Sequence, residues 1–129
     1  MAGPRFASAL STDPDLGVAE QRCVAELLEG LDGDRPDLLL AFASIGYGDP
    51  LQNLGQRLQR ATNAVHVAGC TGAGIVGGAK EVEQKPALSL FGAHLPDCRV
   101  SLAPLTAEER DGRWAFRADL RIEDPERCG

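Results

Sequence analysis

Apolar residues between positions 16 and 31 recur every three or four positions, which is the period of one face of an α-helix. They are Leu16, Ala19, Cys23, Leu27 and Leu31. Asp13 and Pro14 come just before them, and an aspartate caps free backbone amides while a proline suits the first helical position. The segment therefore predicts an amphipathic helix that Asp13 caps.

A second, narrower apolar stripe follows the pair Asp49-Pro50. Its members are Leu51, Leu54, Leu58 and Ala61. Asp49-Pro50 repeats the start signal of the first helix, and Asn63 is a residue at which helices commonly end. This stretch predicts a second helix.

Strands are predicted on both sides of these helices. The continuous apolar run within residues 37–43 is typical of a strand buried on both faces, as in a parallel sheet. Residues 5–10 and 64–70 predict strands before the first helix and after the second. The order strand, helix, strand, helix, strand, with right-handed crossovers, makes these three strands parallel.

The second half of the chain predicts antiparallel strands. Residues 87–94 and 99–105 are joined by a short turn, and residues 114–122 alternate apolar and polar positions with one wet face. The fold class is therefore α/β, a two-layer or three-layer sandwich whose mixed sheet has a parallel β-α-β-α-β start followed by antiparallel strands. A chain of 129 residues fits one domain over residues 1–129, with a frayed polar tail at 123–129.

Composition and charge exclude several classes of partner. The chain has 13 basic and 19 acidic residues, a net charge of −6, and no basic cluster, so nucleic acid and an anionic membrane surface are not expected partners. The cysteines show no C-x-x-C pair and no histidine at metal-ligand spacing, so we expect reduced thiols and no metal. The first residues do not resemble a signal peptide, and no apolar run is long enough to span a bilayer. A cytoplasmic location is therefore expected.

Five glycines fall within Gly69–Gly78, directly after the third predicted strand. In open α/β sheets, ligands bind in the crevice beyond the carboxyl ends of the strands, and glycines let backbone amides approach a ligand closely. Residues 72–77 spell G-x-G-x-x-G, but only seven residues separate Gly78 from Pro86. A dinucleotide site needs a helix that begins at this loop, and the room is too small, so no cofactor is predicted.

Cys70 allows two interpretations. It lies at a strand end before the glycine loop, with His66 earlier on the same strand face and His94 at the end of the next strand, so a Cys–His pair for nucleophilic catalysis is one hypothesis. In the structural alternative, which we favour, Cys70 is a small residue that packs under the loop. The chain is accordingly not predicted to be an enzyme.

Four further side chains are candidates with a structural alternative. Glu81 and Glu83 share one side of an extended segment and can hold a cation or a ligand amine, or form a solvated surface. Tyr47 lies between two glycines after the second strand, and either stacks on a ligand or covers the sheet end. Trp114 is expected in the core or on a packing surface rather than at a ligand.

The stretch Gly69-Cys70-Thr71-Gly72, with Glu81-Val82-Glu83 downstream, resembles the FIST N-terminal domain over about residues 5–105. The resemblance implies a sensory domain of prokaryotic signalling proteins and F-box proteins that binds small ligands, amino acids among them. It supplies no catalytic residue. Such proteins are usually longer and carry a second, C-terminal half, so the resemblance also implies an incomplete copy, with that half or a partner protein as its partner.

The predicted ligand site combines these observations. Its residues are Tyr47, Cys70, Thr71, Gly72, Gly74, Gly78, Glu81 and Glu83. Backbone amides of residues 72–78 would hold a carboxylate, and Glu81 or Glu83 a cationic group, as an amino-acid-like ligand requires. A protein-interaction module and a Cys-dependent enzyme are the alternative functions.

Overall fold

The computed structural model describes residues 3–77, 80–83 and 85–118. The chain divides into two compact units, Met1–Pro96 and Asp97–Gly129, and each is described by itself. The single domain expected over residues 1–129 stays a prediction, and the expected tail at 123–129 lies outside the described residues.

The first unit is an α/β fold with a mixed sheet, as predicted. Its elements are β1 (Arg5–Ser11), α1 (Leu16–Gly30), β2 (Leu38–Ser44), α2 (Leu54–Thr62), β3 (His66–Gly72), β4 (Gly74–Gly77), β5 (Lys80–Glu83) and β6 (Leu88–His94). The main sheet has the order β1-β6-β2-β3. Strands β2 and β3 are parallel, whereas β6 pairs antiparallel with both β1 and β2.

The position of β6 corrects one expectation. Strands β1, β2 and β3 run in the same direction, as predicted, but β6 is inserted between β1 and β2, so those two are not neighbours. Leu90 of β6 lies opposite Ala9 on one side and Ala41 on the other. Because Leu88 and Leu90 are completely buried, the most apolar later strand takes a central place in the sheet.

Helix starts also differ from the prediction. Asp15 rather than Asp13 caps α1, and its side chain accepts a hydrogen bond from the amide of Val18 at 3.3 Å. Asp13 instead accepts a hydrogen bond from the amide of Asp15 at 2.9 Å, and it lies two positions before the residue that caps the helix. Asp49-Pro50 opens a 3₁₀ turn at Asp49–Leu51, and α2 begins only at Leu54. Asn63 ends α2 in the left-handed conformation, at φ 58°, as predicted.

Helices α1 and α2 contact each other on one face of the sheet, and the main core lies between these helices and the sheet. The buried apolar positions of α1 are those the spacing predicted, Leu16, Ala19, Cys23 and Leu27. On the other face the rings of Phe6 and Phe91 stack with centroids 6.1 Å apart. Strand β4 also contacts β6, β2 and β1, and it buries Ile75.

The glycine-rich segment is a β-hairpin in part rather than the predicted loop. Gly74–Gly77 pairs antiparallel with Lys80–Glu83, and Ile75 lies opposite Val82. Branched residues such as Ile75 and Val82 favour paired strands, and they outweigh the flanking glycines. The hairpin therefore folds back beside the end of β3.

The second unit contains a hairpin of β7 (Leu105–Arg110) and β8 (Arg113–Ala118). Asp111 and Gly112 form its turn with φ values of 52° and 75°, the conformation that matches the twist of a two-residue hairpin. The strand predicted over residues 99–105 is wrong, because residues 98–104 form no regular structure and Pro104 lacks an amide donor. The strand predicted over 114–122 is present through Ala118, and its remainder lies outside the described residues. None of the helices in the described ranges is long and apolar enough to cross a membrane.

Candidate ligand site at the carboxyl ends of β2 and β3

The parallel strands β2 and β3 end side by side, with Ser44 opposite Gly72. We call Gly72, Ala73 and Gly74 the glycine corner, because the chain turns there from β3 into β4. Carboxyl ends of neighbouring parallel strands are where α/β sheets bind ligands. The corner lies at this edge, as the sequence predicted for the start of its glycine-rich segment.

Two cavities adjoin the corner, and a third lies beside the end of β3 that leads into it. The open-face cavity, of about 270 Å³, lies on the face away from the helices and is lined by Phe42, Cys70, Thr71, Gly72, Gly74 and Ile75. The helix-side cavity, of about 260 Å³, lies below the start of α2. Its lining is Ala41, Ala43, Leu51, Leu54, Gly55, Val67, Ala68, Gly69, Cys70 and Thr71. The end cavity, of about 280 Å³, is lined by Ser44, Ile45, Gly46, Gly72, Ala73, Lys85 and Pro86.

Four of the predicted ligand residues come together around the open-face cavity. They are Cys70, Thr71, Gly72 and Gly74. Cys70 and Thr71 line the helix-side cavity as well, because β3 separates the two spaces. This grouping results from the turn at the glycine corner, which brings β4 back against the sheet.

Close approach of other backbone atoms disfavours a side chain at two glycines here, most strongly at Gly69. A Cβ atom on Gly72 would lie 3.2 Å from the carbonyl oxygen of Gly74 and 3.7 Å from Cδ1 of Ile75. A Cβ atom on Gly69 would collide with the carbonyl oxygen of Ala41 on β2. Side chains at these positions would close the corner or push β3 off β2.

Glu81, Glu83 and Gly78 are three further residues of the predicted ligand site. Glu81 and Glu83 lie in β5, opposite Val76 and Gly74 in the hairpin register, so the backbone brings Glu83 next to the glycine corner and Glu81 two positions farther along β4. Gly78 lies outside the described residues. The proposed roles of these three residues stay predictions.

Tyr47 packs against the main core. Its hydroxyl donates a hydrogen bond to the carbonyl oxygen of Asp13 at 2.7 Å. Burial raises the pKa of this phenol, and the nearby Cys23 and Asp13 raise it further. These contacts favour the covering role over the ligand role, because they tie the turn after β2 to the loop before α1.

Neither histidine comes close to Cys70 along the sheet. His66 and Cys70 are four positions apart on β3, a distance of about 13 Å along an extended strand. His94 lies near the beginning of β2, where its Nδ1 donates to the carbonyl oxygen of Arg35 at 2.7 Å. Asp34 and Asp37 flank this ring at 3.9 and 3.7 Å. A Cys–His pair is therefore not assembled among the described residues.

Sequence reasoning missed the role of Ser44. Its hydroxyl donates to the carbonyl oxygen of Lys85 at 3.2 Å and accepts from the amide of Ala87 at 2.8 Å. These bonds attach the segment before β6 to the end of β2 and so shape the end cavity. No sequence signal marks the serine, since its partners are 41 and 43 positions away.

Comparison with known proteins agrees with the suspected resemblance. Residues 37–121 match the model of the FIST N domain. Two uncharacterized proteins of Mycobacterium tuberculosis, from strains CDC 1551 and H37Rv, are each 29% identical to this chain over 129 aligned residues. The alignments cover 94% of this chain and 34% of each relative, so the chain spans about a third of their length. No solved structure matches it.

The family match includes β2, α2, β3 and the glycine corner, and therefore the whole candidate site. The match begins at residue 37 rather than near residue 5, and it extends beyond the expected end at residue 105, into the hairpin of the second unit. This coverage, together with the motif at Gly69–Gly72, assigns the chain to the FIST family, whose domains point to a sensory role in signalling.

Proposed function

We propose that this chain is the ligand-binding part of a sensory domain, and that it binds a small, amino-acid-like carboxylate at the glycine corner. The observation that carries the proposal is the grouping of cavities around Cys70–Gly74 at the carboxyl ends of β2 and β3. A signalling function is consistent with the family, and the ligand class rests on the chemistry of this corner.

The open-face cavity fits a small metabolite in size and lining. Its volume of about 270 Å³ is slightly below that of sites for drug-sized ligands. Phe42 and Ile75 supply an apolar wall, while Gly72 and Gly74 leave the backbone accessible to a ligand. Lys85 at the adjoining end cavity adds a positive charge that favours a carboxylate.

A thermal-shift screen against the common amino acids and their carboxylate analogues tests this proposal. A ligand in excess of its Kd raises Tm by mass action. Gly74→Val should abolish the shift by filling the cavity, and Gly3→Val serves as the matched control, because a Cβ at Gly3 meets no atom within 4 Å. Glu81→Gln and Glu83→Gln test the predicted contact with the amine. A ligand that shifts the Gly74→Val variant as much as the unmodified chain would refute the site.

A second candidate function is a protein-interaction module. In the β7–β8 hairpin the register places Leu105, Ala107, Phe116 and Ala118 on one face, along with Trp114. Trp114 and Phe116 are 65% and 66% exposed, and an isolated two-stranded hairpin is marginally stable in water. We propose that this face contacts the C-terminal half expected in longer family members, or a partner protein. Sedimentation of the chain with and without Trp114→Ser tests for self-association through this face.

A further inference from the structure

The outer edge of β3 carries backbone amide and carbonyl groups that the ligand proposal does not use. Among the described residues, β3 pairs with β2 alone and lies at one edge of the sheet. An edge strand directs alternate amide and carbonyl groups outward, where another strand can pair with them. Gly69, Cys70 and Thr71 on this edge are exposed to solvent.

This edge lacks the features that usually block strand addition. Residues 66–72 contain no lysine, arginine, carboxylate or proline. The opposite edge strand, β1, differs, because Arg5 forms ion pairs with Asp32 and Asp34 at 3.5 and 3.2 Å. Among the described residues the two edges of the sheet are therefore unequal, and β3 is the edge strand without an arginine, a lysine or a carboxylate.

Two cavities of nearly equal volume flank the same short piece of this edge on opposite faces of the sheet. The helix-side cavity has Leu51 and Leu54 of the α2 region as its wall, and the open-face cavity has Phe42 and Ile75. Both are lined by Cys70 and Thr71. Successive side chains of an extended strand point to opposite faces, so a strand beside β3 would direct neighbouring residues into the two cavities.

We propose that β3 binds the C-terminal end of an extended peptide, which adds to the sheet parallel to β3 and places its terminal carboxylate at the glycine corner. The proposal rests on the proposed function, because the same corner holds the carboxylate. Main-chain hydrogen bonds to the edge supply affinity, and the two cavities supply specificity. Their walls are mostly carbon, so the last two side chains of the peptide are aliphatic.

Binding of a peptide and binding of a free amino acid require different parts of this surface. A free amino acid fills one cavity and makes no strand pairing, whereas a peptide uses both cavities and the β3 backbone. A C-terminal peptide also needs its carboxylate, because amidation removes the negative charge that the corner holds. Loss of a charge-assisted hydrogen bond corresponds to about a tenfold loss of affinity or more.

Fluorescence anisotropy with an N-terminally labelled peptide, Gly-Ser-Ala-Val-Leu-Val with a free carboxyl end, tests the proposal on the full chain. We expect saturable binding of the labelled peptide. Unlabelled peptide should displace it at a concentration at least about tenfold lower than free leucine or valine requires. Amidation of the peptide should weaken binding by about tenfold. Thr71→Lys should do the same, because it places a charge on the edge between the cavities.

Ser8→Lys is the matched control, since Ser8 is an exposed position of the other edge strand. Its affinity for the peptide should stay within about twofold of that of the unmodified chain. Circular dichroism melts of both lysine variants establish that they fold.

Three outcomes would overturn the peptide hypothesis, and they distinguish it from the proposed function. If free leucine or valine binds as tightly as the peptide and Gly74→Val abolishes both, the edge proposal fails and the small-ligand proposal stands. If amidated and free peptides bind equally, the peptide does not place its carboxylate at the glycine corner and the peptide hypothesis fails, whereas the thermal-shift screen with Gly74→Val still decides the small-ligand proposal. If Thr71→Lys instead abolishes self-association seen by sedimentation and leaves peptide binding intact, the edge binds a second copy of this chain.

Discussion

Arg57 of α2 joins Glu20 of α1 through a paired set of hydrogen bonds. Its Nη2 donates to Oε1 of Glu20 at 2.6 Å, and its Nε lies 3.1 Å from both carboxylate oxygens. The same guanidinium donates to the carbonyl oxygens of Pro50 and Gln52, each at 2.6 Å. Arg57 therefore ties both helices to the 3₁₀ turn that carries Leu51, a wall of the helix-side cavity. The hydrogen bonds that Arg57 donates to Glu20 raise the pKa of its guanidinium.

Replacing Arg57 should loosen this turn. We expect Arg57→Lys to lower the free energy of unfolding by about 1 kcal/mol, because an ammonium cannot reproduce the planar fork and the pair is partly exposed. Urea titration measures the change. Arg60→Lys is the control, since Arg60 is an exposed residue of the last turn of α2. Equal loss in the two variants would mean that the bonds to Glu20 and the turn contribute nothing specific.

Gly69 and Gly55 should respond in opposite directions to the same substitution. Gly69→Ala should lower the free energy of unfolding by about 2 kcal/mol or more, because the new Cβ collides with the carbonyl oxygen of Ala41. Gly55→Ala should raise it by about 0.5 kcal/mol, since the nearest atom, Cγ1 of Val67, lies 4.0 Å away and alanine favours a helix. Thermal and urea unfolding measure both. A neutral Gly69→Ala variant would contradict the close approach of β2 and β3.

The stability of the fold should fall at alkaline pH through Cys23. Burial raises the pKa of this thiol to about 12, from 9.0 when it is free. A thiol whose pKa is higher in the folded state stabilises the fold fully below pH 9, and this contribution is lost as the pH rises toward 12. Urea titrations between pH 8 and pH 11 should show a decline that is shallower in Cys23→Ala. The remaining decline reports groups such as Tyr47, whose pKa is also raised.

Alkylation should separate the described cysteines by exposure. Cys70 and Cys98 are exposed, whereas Cys23 is buried, and its Sγ lies 3.6 Å from the carbonyl oxygen of Leu88. We expect iodoacetamide at pH 7 to modify Cys70 and Cys98 at similar rates, and Cys23 only after unfolding. Peptide mapping by mass spectrometry gives the rate at each site. If Cys70 reacts far faster than both Cys98 and free cysteine, the hypothesis of a Cys-dependent enzyme gains direct support.

Much of the first unit was predictable because its signals are local. The stripe from Leu16 to Leu27 has the helical period, and all of its members are buried in α1. The sequence predicted Asp13 as the cap of α1, whereas Asp15 caps it in the structure. Two aspartates two positions apart offer alternative caps, and only the helix geometry selects one. The motif at Gly69–Gly72 carried the family resemblance, and it places the candidate site at the end of β3.

The sequence by itself determined which segments are amphipathic, that strands β2 and β3 exist, and which family the chain belongs to, because these depend on spacing and residue type within a few positions. The strand bounds shifted by one or two residues, from the predicted 37–43 and 64–70 to Leu38–Ser44 and His66–Gly72. Only the tertiary structure decided that β6 pairs between β1 and β2, and that Gly74–Gly77 returns as a strand against the sheet. The open-face cavity beside Cys70 follows from that return, since Gly74 and Ile75 of β4 line it. Strand partners are chosen by the apolar surface that distant segments bury together, and no local pattern in the chain specifies that choice.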